Sequence, residues 1–324
     1  MRAAVMGEGG TFTVETLPDP APKAGEVIVR VRASGVCGSD LKARPFMPAG
    51  TIMGHEFAGE VVSLGAGVSG IALGTSVAAL PVIACGDCAW CNGGNVAHCA
   101  GVSYIGINQP GGFADHVAVP AVHAFPLGAG TSAELGALVE PFAVGLHGAI
   151  SAGIRPGEHV LVVGAGTVGL TMVAWAHHLG AERVTAVDPS PGRRDLALRL
   201  GATDALASVT DAGPASYDVV AECVGRGDLL DGCALAARPL GRVVILGVAA
   251  EPDTFFRVSA VLNELSFRFS VGYLASEFTA VTDAFATGAI DPSPMLGERF
   301  PLERTAAAFN HAAATPDGKV FVCP

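Results

Sequence analysis

Four cysteines stand close together in CGDCAWCNGGNVAHC, as Cys85, Cys88, Cys91 and Cys99 with the spacing C-x2-C-x2-C-x7-C. Four thiolates on so short a stretch can wrap one ion, with glycine and asparagine relieving the turns. A closed set of four soft anionic ligands describes a structural zinc site; an iron–sulfur site and reduced free thiols are the alternatives. A second set is dispersed. GVCGSD supplies Cys37, GHEFAG supplies His55 and Glu56, and VEPFAVGLHG supplies Glu140. A thiolate, an imidazole and a carboxylate, with another carboxylate near, make a zinc site that leaves one position for a substrate oxygen. Singly, each has a plainer reading: Cys37 a small buried hydrophobe, His55 a satisfied loop histidine, Glu140 a cap before Pro141.

Two stretches fit the dinucleotide fingerprint G-x-G-x-x-G: LGAGVSG at 64–70 and VGAGTVG at 163–169. A working fingerprint follows a buried strand, opens a helix, and is followed about twenty residues on by an acidic residue. The second has all three, in HVLVVG, TVGLTMVAWAHHLG and Asp188. The first is followed by IALGTSVAALP, where Gly74 and Pro81 interrupt any helix, so it reads as a turn between strands. In the second, Gly164 allows the tight turn, Gly166 admits the pyrophosphate, and Gly169 lets helix and sheet pack closely. The helix start at Thr167 and Val168 offers N–H groups and the positive dipole end to phosphates. Asp188 is placed to accept hydrogen bonds from the adenosine ribose and to repel a 2′-phosphate, which favours NAD over NADP. Arg193 and Arg194 nearby oppose that preference.

The elements that must position these groups fall into two kinds. Up to about residue 80 the chain runs in short β-like pieces such as EVIVRVRASG and EFAGEVVSLG, punctuated by glycine and proline. After RPGEHV, apolar runs alternate with helical stretches, the pattern of a parallel sheet wound on both faces. From about Gly272 mixed segments return. The 324 residues suggest two domains. Half the residues are hydrophobic, yet no stretch approaches ~18 uninterrupted apolar residues. A net charge of −11 without a basic cluster argues against nucleic acid or an anionic membrane as partner. MRAAVMGEGGTFTVE reads as strand and turn rather than a secretory signal, which points to a cytoplasmic protein whose cysteines are not paired as disulfides.

GHEFAGEVVSLGAGV, at 54–68, resembles the zinc-site signature G-H-E-x2-G-x5-G-x2-V of the medium-chain zinc-dependent alcohol dehydrogenases. CGSD, the four-cysteine lobe, EPFAVGLHG and VGAGTVG follow in that family's order, and the likeness spans essentially the whole chain. CGSD, the glutamate of EPFAVGLHG and SVGYLASEF look most like the polyol and 2,3-butanediol dehydrogenase branch. The resemblance implies an α/β fold: a GroES-like, mostly-β catalytic domain at 1–145, with a structural-zinc lobe at about 81–100, a Rossmann domain at 146–272, and a return segment at 273–324, with the active site in the cleft between domains. It implies that Cys37, His55 and Glu56 or Glu140, or both, hold the catalytic zinc. Ser39 then passes the alcohol proton outward. Cys223 and Val224, with Gly247 and Val248, line the cofactor groove at strand ends, and Arg193 reaches the ribose. Many members of the branch carry histidine where this chain has Lys42; a surface position is the default reading for it. Phe46, Phe142 and Tyr273 are candidates for an apolar substrate pocket, with packing an equal alternative.

The activity so implied is hydride transfer between NAD and a small secondary alcohol, diol or polyol, or its ketone, assisted by zinc. A biosynthetic dehydrogenase of a cyclitol, sugar or other tailored hydroxyl is the nearest alternative, and a non-catalytic dinucleotide-binding protein the second. The resemblance also implies a homodimer or homotetramer, with an edge strand near GRVVILGV able to extend a sheet across a two-fold axis.

Overall fold

In the computed structural model, residues 1–249, 254–314 and 317–324 are described. The chain divides into two compact units, Met1–Glu140 with Leu274–Pro324, and Pro141–Tyr273.

The first unit is built on a seven-stranded sheet whose long centre, Glu26–Gly35, pairs antiparallel with Glu56–Leu64 and His116–Pro120. Alternation along EVIVRVRASG sends Val27, Val29 and Val31 into a core with Phe57, Val61, Val77 and Val117. The strand Lys319–Cys323 returns to pair with Glu26–Gly35, matching Phe321 with Gly35 and Val322 with Ser34. A second core therefore joins early and late residues: Met6, Val36, Met53 and Phe113 pack with Phe300, Phe309 and Val322. Phe113 and Phe309 are fully buried with rings 5.7 Å apart, and truncating either to alanine would cost about 3–5 kcal/mol.

The stretch 64–70 forms the loop between the strands Glu56–Leu64 and Ser76–Ala79, not a strand-to-helix turn. Its Gly65 packs so close that a Cβ would run into the Lys23 carbonyl. These glycines serve a turn.

The second unit carries a six-stranded parallel sheet. Its order is Asp204–Leu206, Arg183–Val187, His159–Val163, Tyr217–Glu222, Ala237–Ile245, Ser266–Phe269. This is the doubly wound dinucleotide-binding order, whose direction reverses between His159–Val163 and Tyr217–Glu222. Continuous apolar runs suit strands covered on both faces. The strand containing GRVVI is not an edge: Ala237–Ile245 pairs on both sides, and Ser266–Phe269 is the edge beyond it among the described residues. The window inside Ala133–Ala152 is long and apolar enough to span a bilayer, yet 72 % of it is buried. Glu134 and Glu140 interrupt it, and it packs as a core helix.

Candidate active site

Three of the residues singled out in the sequence converge. Cys37 Sγ, an imidazole nitrogen of His55 and a carboxylate oxygen of Glu56 lie within 4.8 Å of one another. Cys37 sits where Glu26–Gly35 gives way to the short helix Gly38–Ala43, and its sulfur accepts from Ser39 N at 3.5 Å. Gly54 introduces His55 with φ +98°, and a Cβ there would press on Phe113 and Ser34. Only glycine takes that backbone readily. His55 then enters Glu56–Leu64, so histidine and glutamate are delivered by one strand end.

Two further residues complete the cluster, and both escaped the sequence reading. Asp40, 2 % exposed, accepts from Cys37 N at 3.0 Å through one oxygen, and its other oxygen lies 3.3 Å from His55 Nδ1. Its carboxylate is thereby set against the Nδ1 side of the ring. The clue was its place in CGSD, three residues after the cap, the spacing of a capping box. Lys319 ion-pairs with Glu56 Oε2, and each side chain is 1 % exposed. A Cβ on Gly35 would run into Glu56 Oε2, so the pair depends on glycine there. No local signal announces Lys319, because its partner comes from a distant part of the sequence.

Burial alone would lower the His55 pKa, but the facing charges of Asp40 and Cys37 outweigh it and raise it well above the ordinary histidine value. Burial also acts to lower Lys319, and Glu56, then Cys37, carry it upward instead. The half-buried thiol and the buried carboxylates thus hold positive charge on His55 and Lys319, and a donor set of thiol, imidazole and carboxylate fits zinc. Glu140 is buried in the first turn of Val139–Ala152 and lies outside the trio. Ser39 and Lys42 are exposed on the Gly38–Ala43 helix.

The other four cysteines also come together. Cys85, Cys88, Cys91 and Cys99 offer sulfurs within 4.8 Å of one another, with Cys99 buried and Cys85 exposed. Backbone hydrogen bonding at Cys91 brings the Cys88 thiol down to about 6, whereas a hydrogen bond with the Asp87 side chain leads in pushing Cys85 up to about 12. The hydrogen bond from Cys85 N lowers the Cys99 thiol as well, and a cation would stabilise all four as thiolates. Four sulfurs at these separations fit a closed zinc site.

In the second unit, His159–Val163 runs through Gly164 (φ +92°) into the helix Thr167–His178. A Cβ on Gly169 would run into the Gly164 carbonyl, whereas Gly166 has open space beside it. No side chain among the described residues caps the helix start. Asp188 follows the strand Arg183–Val187 and is 3 % exposed. Its oxygens accept from Ala165 N at 3.0 Å and Ser190 N at 2.9 Å, and Arg193 Nη1 lies 3.6 Å away. Arg194 donates to the carbonyls of Asp188 and Pro189. Cys223 and Val224 follow the strand Tyr217–Glu222, and Gly247 and Val248 follow Ala237–Ile245. Of the three aromatic candidates, Phe142 is fully buried, with its carbonyl accepting from Trp175 Nε1, and Tyr273 is 4 % exposed. Phe46 is 86 % exposed.

Residues 23–129 match the alcohol dehydrogenase GroES-like domain, and residues 167–287 the zinc-binding dehydrogenase domain. The chain is 32 % identical over 303 residues to L-galactonate-5-dehydrogenase of Escherichia coli K12, covering 90 % of this chain and 88 % of that protein. A zinc-binding dehydrogenase from Sinorhizobium meliloti 1021 bound to NADP superposes with a TM-score of 0.94 at 32 % identity, over 100 % of this chain and 99 % of that one. An alcohol dehydrogenase from E. coli CFT073 complexed with NADH gives 0.93 at 26 % identity, over the same shares. With a thiolate–imidazole–carboxylate cluster in a GroES-like unit and a dinucleotide crevice in a parallel sheet, the chain belongs to the medium-chain zinc-dependent alcohol dehydrogenases, oxidoreductases that use zinc and a nicotinamide dinucleotide.

Proposed function

We propose that this enzyme moves hydride between NAD and a small secondary alcohol, diol or polyol, or the corresponding ketone, with residues 1–145 and 273–324 handling the substrate and 146–272 the cofactor. The observation that carries the reading is the convergence of half-buried Cys37 with buried His55 and Glu56. When bound, zinc supplies Lewis-acid polarisation of a substrate oxygen and lowers the pKa of a hydroxyl placed there. Cys37 and His55 would hold the ion, and Asp40 would keep the His55 ring in place beside it. Glu56, which Lys319 also engages, would be the carboxylate ligand, and buried Glu140 the alternative. The choice matters because each added anionic ligand would make the ion less acidic. Ser39, exposed two residues after Cys37, takes the alcohol proton toward solvent. Cys85, Cys88, Cys91 and Cys99 hold a structural zinc.

In the cofactor crevice, Gly164, Gly166, Thr167, Val168 and Gly169 receive the pyrophosphate and Asp188 the ribose. Cys223, Val224, Gly247 and Val248 form the wall. NAD is favoured because the Asp188 carboxylate would face a 2′-phosphate. NADP is the second reading, supported by Arg193 beside Asp188 and by the NADP-bound relative. We also place the protein in the cytoplasm, as a homo-oligomer whose copies meet along Ser266–Phe269. That strand has one strand neighbour among the described residues, and Phe269 and Val271 are exposed there.

A panel of secondary alcohols, diols, polyols and ketones assayed with NAD and NADP tests the reading, alongside zinc analysis. Turnover with at least one secondary alcohol and NAD is expected, with Ser39→Ala lowering kcat by roughly 10²-fold or more. Turnover unaffected in both Cys37→Ala and His55→Ala would overturn it.

A further inference from the structure

Glu222 is a carboxylate buried to 2 % exposure at the carboxyl end of the central strand Tyr217–Glu222, whose other charged residue, Asp218 near the start of the strand, pairs with Arg238. Packing there asks for no charge, since its neighbour Ala221 is fully buried, and a carboxylate is kept in such a place only when its hydrogen bonds are supplied. Its position in the sheet is specific. Glu222 is in register with Val163 on one side and Ile245 on the other, at the point where strand order reverses. Ligands of doubly wound sheets lie outside the carboxyl ends of the strands at that point.

Its polar atoms are spent on the loops that extend from these strands. Glu222 Oε1 accepts from Val224 N at 2.7 Å and Gly225 N at 2.8 Å. Its main-chain carbonyl accepts from Leu246 N at 2.8 Å and Gly247 N at 3.1 Å. A Cβ on Gly247 would run into Glu222 Oε2 and Gly225 N, so the two loops close on each other around this carboxylate. Val224, held by the first of these bonds, fills the space beside Gly164 that a Cβ would need. One side chain thus sets the spacing of three segments: the glycine turn, 223–225 and 246–248.

We propose that Glu222 is a positioning residue for the dinucleotide: its carboxylate oxygen ties the amides of Val224 and Gly225 and so fixes the wall against which the cofactor is bound. This rests on the reading that the crevice at Gly164–Gly169 and Asp188 takes the dinucleotide. What matters is an acceptor at the right reach rather than a charge. Two substitutions separate these properties: Glu222→Asp keeps the charge and shortens the reach, whereas Glu222→Gln keeps the reach and an acceptor oxygen while losing the charge.

The test is NADH affinity of the zinc-loaded full chain, read by nicotinamide fluorescence, together with KM for cofactor and for alcohol and the Tm of each variant. Glu222→Asp is expected to weaken NADH by roughly tenfold or more, and Glu222→Gln by no more than roughly threefold, with the alcohol KM moving less than either. A merely structural role would lower Tm in both variants and leave the affinity of the folded fraction unchanged. The opposite ranking, or Glu222→Asp binding NADH as the unaltered protein does, overturns the proposal. Asp188→Ala is the companion measurement: if it weakens NADH while Glu222→Asp does not, the positioning role alone fails. If neither weakens it, the assignment of the crevice fails with it.

Discussion

Lys319 and Glu56 form an ion pair sealed from solvent, and a Glu56 oxygen lies within 4.8 Å of the Cys37 sulfur and of a His55 ring nitrogen. Removing one member of a buried pair strands the other charge and costs about 3–5 kcal/mol. Lys319→Met is therefore expected to destabilise the metal-free protein by about that amount in urea unfolding. Adding Glu56→Gln should restore most of the loss, because no bare carboxylate remains. Equal losses in the single and double variants would mean that Lys319 acts through packing alone.

His55 makes the stability of the metal-free protein depend on pH. Burial opposes the imidazolium, but Asp40 and Cys37 dominate, so the folded-state pKa lies well above the unfolded one. The folded protein holds this proton where the unfolded chain releases it. The stabilisation is complete below about pH 6.5 and is lost as pH rises from there through the folded-state value. Tm measured with chelator present should fall over that range, and His55→Asn should flatten the fall. Parallel curves for the two proteins would refute the assignment.

At the four-cysteine lobe, Cys99→Ser is expected to lower zinc from about two ions per chain to about one. Because Cys99 is the buried member of the set, the segment around Cys85–Cys99 should also become open to limited proteolysis. Full zinc content in Cys99→Ser would assign the lobe no metal.

Asp188→Ala removes the carboxylate that would repel a 2′-phosphate and leaves Arg193 unopposed. The ratio of kcat/KM for NAD to that for NADP is expected to fall by roughly tenfold or more, an effect the size of one lost charged hydrogen bond. A ratio that stays put would show that selectivity lies elsewhere.

Phe269→Glu places a charge on the exposed side of the edge strand. Light scattering after size exclusion should show a smaller species than the unaltered protein, with its zinc content intact. An unchanged mass would exclude this edge as the contact.

Much of this was legible because local patterns demanded it. Alternation in EVIVRVRASG, the strand–glycine–helix order around 163–169 and four cysteines in one short stretch each have few physical solutions. The two fingerprints were separable by their downstream residues: a helix and Asp188 after one, Gly74 and Pro81 after the other. What escaped shares a different trait. Asp40, Lys319 and Glu222 each act through partners that only the fold supplies, and as isolated letters they read as a helix-cap acid, a surface lysine and a strand-end glutamate. The edge strand was misplaced by one because apolar strength marks burial, and GRVVIL is apolar for being central.

The return of Lys319–Cys323 to the Glu26–Gly35 strand also orders events during synthesis. Residues 26–64 leave the ribosome long before their partner strand, with the whole dinucleotide-type unit translated in between. Throughout that interval Glu56 is without its counter-ion and the strand Glu26–Gly35 without one of its partners. Neutralisation of the Glu56 carboxylate is thus deferred until translation has passed the nucleotide fold.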